Sequence, residues 1–420
     1  MTANTVALLP LDGRVQHYAW GSCDALPGFL GRQPDGQPWA EWWLGAHPNG
    51  PSTVGAVPAT TLDLFVQRDP RAILGPEVLE TFGSRLPFLL KVLAVAQPLS
   101  LQVHPTATQA AAGYAAERAG VDPGSLTDPL YADEWAKPEM LLALTRFDAF
   151  AGLRPPADVL ARLEALGGQL LGGLAAHLRA DLTVDGVARL VESLLRLTGP
   201  DRERAVDETR AGVSVLAEER APESTDLGVS AALADQYPDD PAVVVTVLMN
   251  HVVLEPGEAM AVPAGLLHCY TGGLAVEIQS TSDNTLRAGL TRKRVDVDEV
   301  LRIIDAAAQP HLVWPTEPAP CLEVFDPGVP DFTLDRICVH QGGRFLLGGG
   351  TPAIVMAMDG TLHLRTAQSH ADLRRGEALF VPAAAGPMTV TGMGEAVRAR
   401  PGLAEHDANA EPTTSVDEEA

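Results

Sequence analysis

A glutamine and a histidine two positions apart, Gln102 and His104, are the first side chains in this sequence that could bind one ligand together. On a β-strand, side chains two apart point to the same face, so the amide and the imidazole face one way. The apolar Leu101 and Val103 then face the other way, and Pro105 ends the strand. An isolated Gln-x-His is usually only a hydrogen-bonded pair, so a metal site requires further ligands from other segments.

Two other segments offer a carboxylate and a second imidazole. Glu139 stands just ahead of a predicted buried strand, and His268 follows a Pro-Ala-Gly turn. Two imidazoles, one carboxylate and one amide oxygen suit a divalent ion, and Zn²⁺ fits the nitrogen ligands best. Glutamine is a weak donor that leaves the ion a stronger Lewis acid, which favours a catalytic role over a structural one.

The composition describes the protein that must position these groups. Hydrophobic residues make up 46% of the 420 residues, which predicts a folded protein of two or three domains. The formal charge of −24 argues against nucleic-acid partners and acidic membranes. No apolar run approaches the ~20 residues of a membrane helix, and no signal peptide is indicated. The four scattered cysteines favour a cytoplasmic location, and a monomer is plausible.

The local patterns divide the chain into five segments. Residues 1–154 alternate short apolar runs with Gly and Pro, residues 155–248 are helical, and strands return in residues 249–320. A helical block between two β-rich blocks predicts an insertion into a β domain. Residues 321–399 form a final β-rich block, and the acidic residues 400–420 are predicted to be disordered.

The two later β-rich segments contain an internal repeat. Segments beginning at Leu254 and at Leu373 both read Leu-x-x-Gly-Glu-Ala-hydrophobic-x-Val-Pro-Ala. The match predicts two copies of one turn-and-strand unit, a pattern that recurs in the jelly-roll barrels called cupins. Alignment of the copies puts Pro387 at the place of His268, so the second copy is predicted to hold no metal.

Together these segments resemble the type I phosphomannose isomerases. The motifs occur in the family's order and cover the chain from about Val6 to Val397. They are QHYAWG (Gln16 to Gly21), LPFLLKVLAVAQPLSLQVHP (Leu86 to Pro105), KPEM (Lys137 to Met140), LEPGEAMAVPAGLLHCYTGG (Leu254 to Gly273) and TSDNTLRAGLTRK (Thr281 to Lys293).

The resemblance implies a fold, a cofactor and an activity. The implied fold is mainly β with an inserted α-helical domain and two cupin-like jelly-roll barrels, of which the first is catalytic. The implied cofactor is one Zn²⁺ per chain, and the implied activity interconverts mannose 6-phosphate and fructose 6-phosphate. The implied zinc ligands are Gln102, His104, Glu139 and His268, and the implied catalytic arginine is Arg287.

One position departs from the family. The family commonly has Asn-His directly before Lys-Pro-Glu, whereas this chain has Trp135 and Ala136. A mechanistic role for that histidine therefore cannot operate here, and one wall of the pocket is expected to change shape.

Isomerisation through an enediol requires proton transfer at carbon and oxygen, together with charge stabilisation. The candidates for acid or base that the motifs contain are Glu277, Asp283, Lys137 and Tyr270. The cations available for the phosphate or the enediolate are Lys91, Lys137, Arg287 and Lys293. Two further residues of the motifs are expected to line the pocket, Ser100 and Trp20. The sequence does not choose the base among its candidates.

Two other functions are compatible with parts of the pattern. The ligand types would also suit an Fe²⁺ cupin oxygenase, although a glutamine ligand and nearby cations fit a phosphosugar better. A non-catalytic sugar-phosphate-binding cupin would not need an intact ligand set together with Arg287.

Overall fold

The computed structural model describes residues 6–55, 60–121, 128–218 and 226–403. Its strands are β1 (Leu9–Asp12), β2 (Arg14–Gln16), β3 (Glu41–Gly45), β4 (Thr53–Val54), β5 (Thr60–Thr61), β6 (Phe88–Val95), β7 (Leu101–Val103), β8 (Glu139–Ala143), β9 (Phe147–Leu153), β10 (Met249–Leu254), β11 (Ala259–Val262), β12 (His268–Ser280), β13 (Leu286–Gly289), β14 (His311–Leu312), β15 (Thr316–Ala319), β16 (Leu322–Phe325), β17 (Thr333–Val339), β18 (Arg344–Leu347), β19 (Ala353–Arg365), β20 (His370–Arg374), β21 (Ala378–Val381) and β22 (Met388–Arg400). Its helices are α1 (Ala25–Phe29), α2 (Leu62–Val66), α3 (Pro70–Leu74), α4 (Pro76–Phe82), α5 (Ala107–Arg118), α6 (Pro156–Leu166), α7 (Gln169–Ala180), α8 (Val184–Leu195), α9 (Pro200–Glu218), α10 (Asp226–Gln236), α11 (Ala242–Val247) and α12 (Val297–Ile303).

The strands form two antiparallel sheets of eleven strands each. Sheet I contains β2, β3 and β6 to β14, and sheet II contains β1, β4, β5 and β15 to β22. The predicted mainly β fold is therefore confirmed. Neither sheet closes into a barrel, however, because its main path of paired strands ends in unjoined strands: β14 and β2 in sheet I, β15 and β5 in sheet II.

Sheet II draws strands from both ends of the chain. Leu9 in β1 pairs with Phe380 in β21, and Leu11 pairs with Val54 in β4. The segment predicted as the first part of the catalytic domain thus also supplies strands to the C-terminal sheet. Most of the acidic tail predicted to be disordered lies outside the described residues, and β22 continues to Arg400.

The helices α6 to α11 follow one another between Pro156 and Val247. Their apolar sides share one buried cluster with Leu101 and Val103 of β7. The short strand β7 therefore turns its apolar face to the helices, and its alternating pattern leaves the polar face for the interior of sheet I. No helix in the described ranges combines the length and the apolar character needed to cross a membrane.

The longest strand of sheet I, β12, changes partners along its length. Its first part, His268 to Gly272, pairs with β7 and β9, and the remainder pairs with β6 and β8. A bulge follows Tyr270, and Gly273 has a φ of +117°, which glycine adopts at little cost. A Cβ at Gly273 would lie 2.5 Å from the Arg146 carbonyl oxygen. This glycine therefore lets the strand pass from one set of partners to the other.

The internal repeat corresponds to two turns of the same geometry. Gly257 (φ +93°) precedes β11, and Gly376 (φ +77°) precedes β21. In the first turn the Glu258 carboxylate accepts the backbone N–H of Glu255 at 2.8 Å. In the second, Glu377 accepts the backbone N–H of Arg374, also at 2.8 Å. The repeated Gly-Glu is thus explained by a left-handed glycine and a carboxylate that closes the turn.

Candidate active site

Three ligand-type side chains predicted from separate segments meet inside sheet I. His104 follows the end of β7, Glu139 is the first residue of β8, and His268 is the first residue of β12. Their nearest ligand atoms all lie within 4.8 Å of one another, and all three side chains are buried. Glu139 Oε1 is 3.3 Å from His104 Nε2, and Glu139 Oε2 is 3.7 Å from His268 Nε2.

The hydrogen bonds of the two imidazoles leave one nitrogen of each ring facing this centre. Nδ1 of His104 donates to the Asn284 carbonyl at 2.8 Å, and Nδ1 of His268 donates to the Leu266 carbonyl at 3.0 Å. A carbonyl only accepts, so in the neutral ring the proton is on Nδ1 and Nε2 carries the lone pair. The buried Nε2 of His104 has no hydrogen-bond partner among the described residues. Two lone pairs and a carboxylate that converge in this way fit a cation.

Gln102 adds a fourth group to the cluster. It pairs directly with His268 across β7 and β12, and the two side chains are 3.1 Å apart between Gln102 Nε2 and His268 Nε2. A half-turn of the amide brings its oxygen to the same place. Two nitrogens, a carboxylate and an amide oxygen form a donor set that suits Zn²⁺.

Hydrogen bonds and charge keep Glu139 ionised. Its Oε1 lies 3.0 Å from Lys137 Nζ, and its Oε2 accepts from the Tyr270 hydroxyl at 3.1 Å. Burial opposes ionisation, but Lys137 and His104 outweigh it and hold the pKa of Glu139 well below its usual range. Burial lowers the pKa of His268 to about 4, with His104 adding to the shift, so this imidazole is neutral at pH 7. Burial, and next Glu139, raise the pKa of Tyr270 well above its usual value.

A cavity of about 570 Å³ opens from this cluster towards solvent. Gln102 and Glu139 border it, whereas the two histidines lie fully buried behind them. Every other site residue predicted from the sequence also borders the cavity: Trp20, Lys91, Ser100, Lys137, Tyr270, Glu277, Asp283, Arg287 and Lys293.

A buried ion pair occupies one wall of the cavity. Lys91 in β6 lies directly opposite Glu277 in β12, and Nζ is 2.9 Å from Oε2 of Glu277. Glu41 Oε2 lies 3.8 Å from the same ammonium and accepts from the Trp43 indole N–H at 2.5 Å. Burial disfavours the ammonium, but Glu277 and Glu41 outweigh it and hold the pKa of Lys91 above its ordinary value. Burial raises the pKa of Glu277, and Lys91 offsets only part of this effect.

Asp283 is held differently. His47 Nε2 lies 3.3 Å from its Oδ1, and Asn49 Nδ2 donates to its Oδ2 at 2.5 Å. His47 Nδ1 accepts the Asn49 backbone N–H at 3.2 Å, which leaves the Nε2 proton for Asp283. Burial works against ionisation, but the contact with His47 overcomes it and lowers the pKa of Asp283 to about 2.

The segment from Arg287 to Lys293 supplies cations to the cavity. Arg287 lies opposite Gln102 across β13 and β7, so its backbone is fixed beside a predicted metal ligand. No hydrogen bond or ion pair to another described residue occupies its guanidinium. Burial lowers the pKa of Arg287, and burial followed by the charge of Arg287 lowers that of Lys293.

The structure adds cavity residues that sequence reasoning missed. They include Tyr18, Glu41, Trp43, Tyr237, Thr285 and Arg292. Tyr18, Thr285 and Arg292 lie inside the recognised motifs, which was a usable signal. Glu41 and Trp43 are on β3 and Tyr237 follows α10, so only the tertiary fold brings them to the site.

The departure at Trp135 and Ala136 lies outside the main cavity. Trp135 borders a second cavity of about 390 Å³, which shares Asp283 with the first. The Arg85 guanidinium covers the Trp135 ring at 3.9 Å, and the Ala136 carbonyl accepts from the Ser280 hydroxyl at 2.7 Å. Neither of the two side chains borders the first cavity within the described residues.

Two family models match this chain. The model for the catalytic domain of phosphomannose isomerase type I matches residues 8–156, and the model for the cupin domain of mannose-6-phosphate isomerase matches residues 324–401. A mannose-6-phosphate isomerase of Salmonella typhimurium is 33% identical over 395 residues, covering 92% of this chain and 98% of the relative. The human mannose-6-phosphate isomerase is 31% identical over 407 residues, covering 90% and 93%.

Solved structures of mannose-6-phosphate isomerases are also similar to this chain. A mannose 6-phosphate isomerase crystallised with zinc and yttrium has a TM-score of 0.85 and 32% identity, covering 94% of this chain and all of that one. A single-residue variant of phosphomannose isomerase from Salmonella typhimurium has a TM-score of 0.86 and 32% identity, with the same coverage.

Proposed function

The chain belongs to the type I phosphomannose isomerase family and is a zinc-dependent enzyme that interconverts mannose 6-phosphate and fructose 6-phosphate, and we propose roles for the residues of its site. Four ligands hold one zinc ion: Gln102, His104, Glu139 and His268. The observation that carries this assignment is the pair of imidazoles whose Nδ1 protons are engaged by carbonyls and whose Nε2 atoms face Glu139. Bound there, Zn²⁺ acts as a Lewis acid that stabilises negative charge on the sugar oxygens.

Glu277 is the general base that we propose. Among the four candidates, Lys137 is an ammonium that donates to Glu139 and Thr285, so it has no lone pair to accept a proton. The Tyr270 hydroxyl donates to Glu139 and has a raised pKa. Asp283, with a pKa of about 2, is too weak a base. Glu277 has a raised pKa and borders the cavity.

In the forward reaction Glu277 takes the proton from C2 of the open-chain aldose. The electrons of that bond form the C1–C2 double bond, and the carbonyl electrons move onto O1, which gives an enediolate. A proton then passes from the O2 hydroxyl to O1. As the C2–O2 carbonyl forms, the electrons of the C1–C2 double bond take the proton back from Glu277 at C1, and the product is the ketose. Lys91, at 2.9 Å from Glu277, orients the carboxylate and stabilises its ionised form between turnovers. Arg287 places its guanidinium where the enediolate oxygens gain charge.

The substrate phosphate is assigned to the mouth of the cavity. The zinc ligands and the Lys91–Glu277 pair are buried, whereas Lys293 is exposed and Ser100 half-buried. Lys293 also faces the Tyr18 ring at 6.0 Å. A phosphate dianion beside Lys293 and Ser100 keeps part of its hydration, while the sugar carbons reach the buried groups.

A domain organisation accompanies this assignment. Residues 1–154 and 249–320 form most of a catalytic cupin, residues 155–248 a helical insertion, and residues 321–399 a second cupin-like domain. Support comes from the uninterrupted succession α6 to α11 and from the cupin-domain match over residues 324–401. The four free thiols support a cytoplasmic enzyme, and we propose a monomer.

The two alternative functions have less support. An Fe²⁺ oxygenase or a non-catalytic binding protein would leave the relatives' common isomerase identity unexplained. The buried Lys91–Glu277 pair beside the ligand cluster also suits proton transfer better than oxygen chemistry.

Removal of the metal tests the proposed function. In a coupled isomerase assay on the purified protein, a chelator should abolish turnover of mannose 6-phosphate and Zn²⁺ should restore it. His268→Ala should bind well below one zinc per chain, because one of the two imidazole ligands is lost. The matched control is His363→Ala, an exposed histidine of sheet II, which should keep both zinc and turnover. Full activity in a metal-free preparation would contradict the assignment.

A further inference from the structure

The turn between β13 and the cationic segment of the site has an unusual backbone. Leu290 has a φ of +54° and is one of three non-glycine residues with a positive φ in the described part of the chain. It is buried and borders the catalytic cavity. A leucine in this left-handed region is strained, so surrounding contacts must hold it there.

One carboxylate from outside sheet I supplies that contact. Asp240 Oδ2 accepts the backbone N–H of Leu290 at 2.7 Å. Its Oδ1 accepts the backbone N–H of Ala242 at 3.0 Å, where α11 begins. The Asp240 carboxylate thus joins the start of α11 to the turn after β13 through two charge-assisted hydrogen bonds.

Close packing at the preceding residue supports this connection. A Cβ on Gly289 would collide with the Cβ of Ala242 and would lie 2.9 Å from Asp240 Oδ1. Glycine at this position therefore lets the end of β13 approach the carboxylate closely. The segment that leads to Asp240 also reaches the cavity, since Gln236 and Tyr237 border it.

The residues after Leu290 depend on this turn for their direction. Thr291, Arg292 and Lys293 all border the cavity, and the Lys293 backbone N–H donates to the Thr291 hydroxyl at 3.1 Å. Arg287, on the other side of the turn, is already fixed by pairing of β13 with β7. A change at the turn should therefore redirect Lys293 more than Arg287.

We propose that Asp240 is a positioning residue for substrate binding, which holds Leu290 in its left-handed conformation and thereby aims Lys293 at the substrate phosphate. This inference rests on the proposed phosphate site at the mouth. It assigns to the α10–α11 connection a direct part in substrate affinity, at a distance from the reacting carbons.

Steady-state kinetics test the positioning role. Asp240→Ala should raise KM for mannose 6-phosphate about tenfold, because the charge-assisted contact between Lys293 and the substrate phosphate is lost. It should leave kcat within about threefold. The inhibition constant of inorganic phosphate should rise in parallel, and the zinc content should stay at one per chain. Asp240→Asn keeps one acceptor oxygen and should show a smaller shift, so it serves if the alanine variant folds poorly. The matched control is Asp239→Ala, an exposed neighbour in the same turn, which should behave as the unmodified enzyme.

Two double-mutant cycles separate this mechanism from a general structural effect. Asp240→Ala should add little to the KM of Lys293→Ala, because both remove the same contact. Asp240→Ala should also have a smaller effect on KM and on Tm in a Leu290→Gly background, because glycine adopts the positive φ without strain. Unchanged KM in Asp240→Ala, or full additivity with Lys293→Ala, would overturn the proposal. An unaltered KM in Lys293→Ala alone would instead remove the phosphate assignment, while the Tm cycle would still report on the contact between Asp240 and Leu290.

Discussion

The guanidinium of Arg287 remains charged at any pH at which the enzyme works, even though burial lowers its pKa. It is therefore a poor base and a suitable electrostatic partner for an oxygen that gains charge. Such a contact strengthens in the transition state, so its removal should affect kcat more than KM. Arg287→Ala should keep its zinc and its fold and lose about 10² to 10³ in kcat, as measured by the coupled assay.

Lysine at the same position provides the matched comparison. Arg287→Lys keeps the charge but loses the planar fork of donors, so it should recover only part of the rate. A rise in KM with an unchanged kcat would mean that Arg287 binds the ground state, and the catalytic role would then pass to another residue.

At this scale, spacing and residue type predicted much of the site. The alternation in β7 was enough to place Gln102 and His104 on one face. The residue types of Glu139 and His268 completed a possible ligand set, which the resemblance also implied. The partner of His104 Nδ1 could not be predicted, because the Asn284 carbonyl is distant in sequence. The partner of His268 Nδ1 is the carbonyl of the nearby Leu266, but residue types do not reveal such a contact with the backbone. The choice of Glu277 as the proposed base could not be made from the sequence either, since the pKa of Glu277 depends on burial and on Lys91 across a neighbouring strand.

At the scale of elements, the two Gly-Glu turns can be compared directly. Gly257 and Gly376 both have positive φ, so alanine strains the backbone at each by about 1 kcal/mol. A Cβ at Gly376 would also lie 2.8 Å from the Leu30 Cα, whereas at Gly257 it would approach only the flexible Arg336 guanidinium. Gly376→Ala should therefore lower the free energy of unfolding by about 3 kcal/mol, against about 1 kcal/mol for Gly257→Ala.

Urea unfolding of both variants measures this difference. Zinc should be kept saturating in every sample, because the ion stabilises the folded state and would otherwise alter the comparison. Equal destabilisation by the two substitutions would show that backbone strain alone matters and that packing of Gly376 on Leu30 does not.

Local patterns were sufficient for the elements that they describe. The Gly-Glu repeat predicted two similar turns, and the change of periodicity predicted the run of helices after Pro155. Strand pairing could not be predicted in the same way, because the sequences of β1, β4 and β5 do not indicate that these strands join sheet II. Such pairing is decided by contacts between residues far apart in sequence, which periodicity does not record.

At the scale of the whole molecule, the two sheets should differ in metal content. Sheet II has Pro387 where the alignment with sheet I has His268, and proline has no side-chain donor. The one His, Cys, Asp and Glu cluster suited to a metal within the described residues is that of His104, Glu139 and His268. The purified enzyme should therefore hold one zinc per chain, and crystals should show a single anomalous peak, in sheet I. A peak among residues 321–399 would contradict this prediction.

The pairing of β1 with β21 has a consequence for how the chain is made. Leu9 is synthesised long before its partner Phe380, because the two residues are far apart in the sequence. β1 can pair with β4 early, but its other edge stays open and sheet II stays incomplete until β21 has been made. A product that terminates before β21 would lack this partner and expose β1 as an open strand edge, a site for aggregation with other unfinished chains.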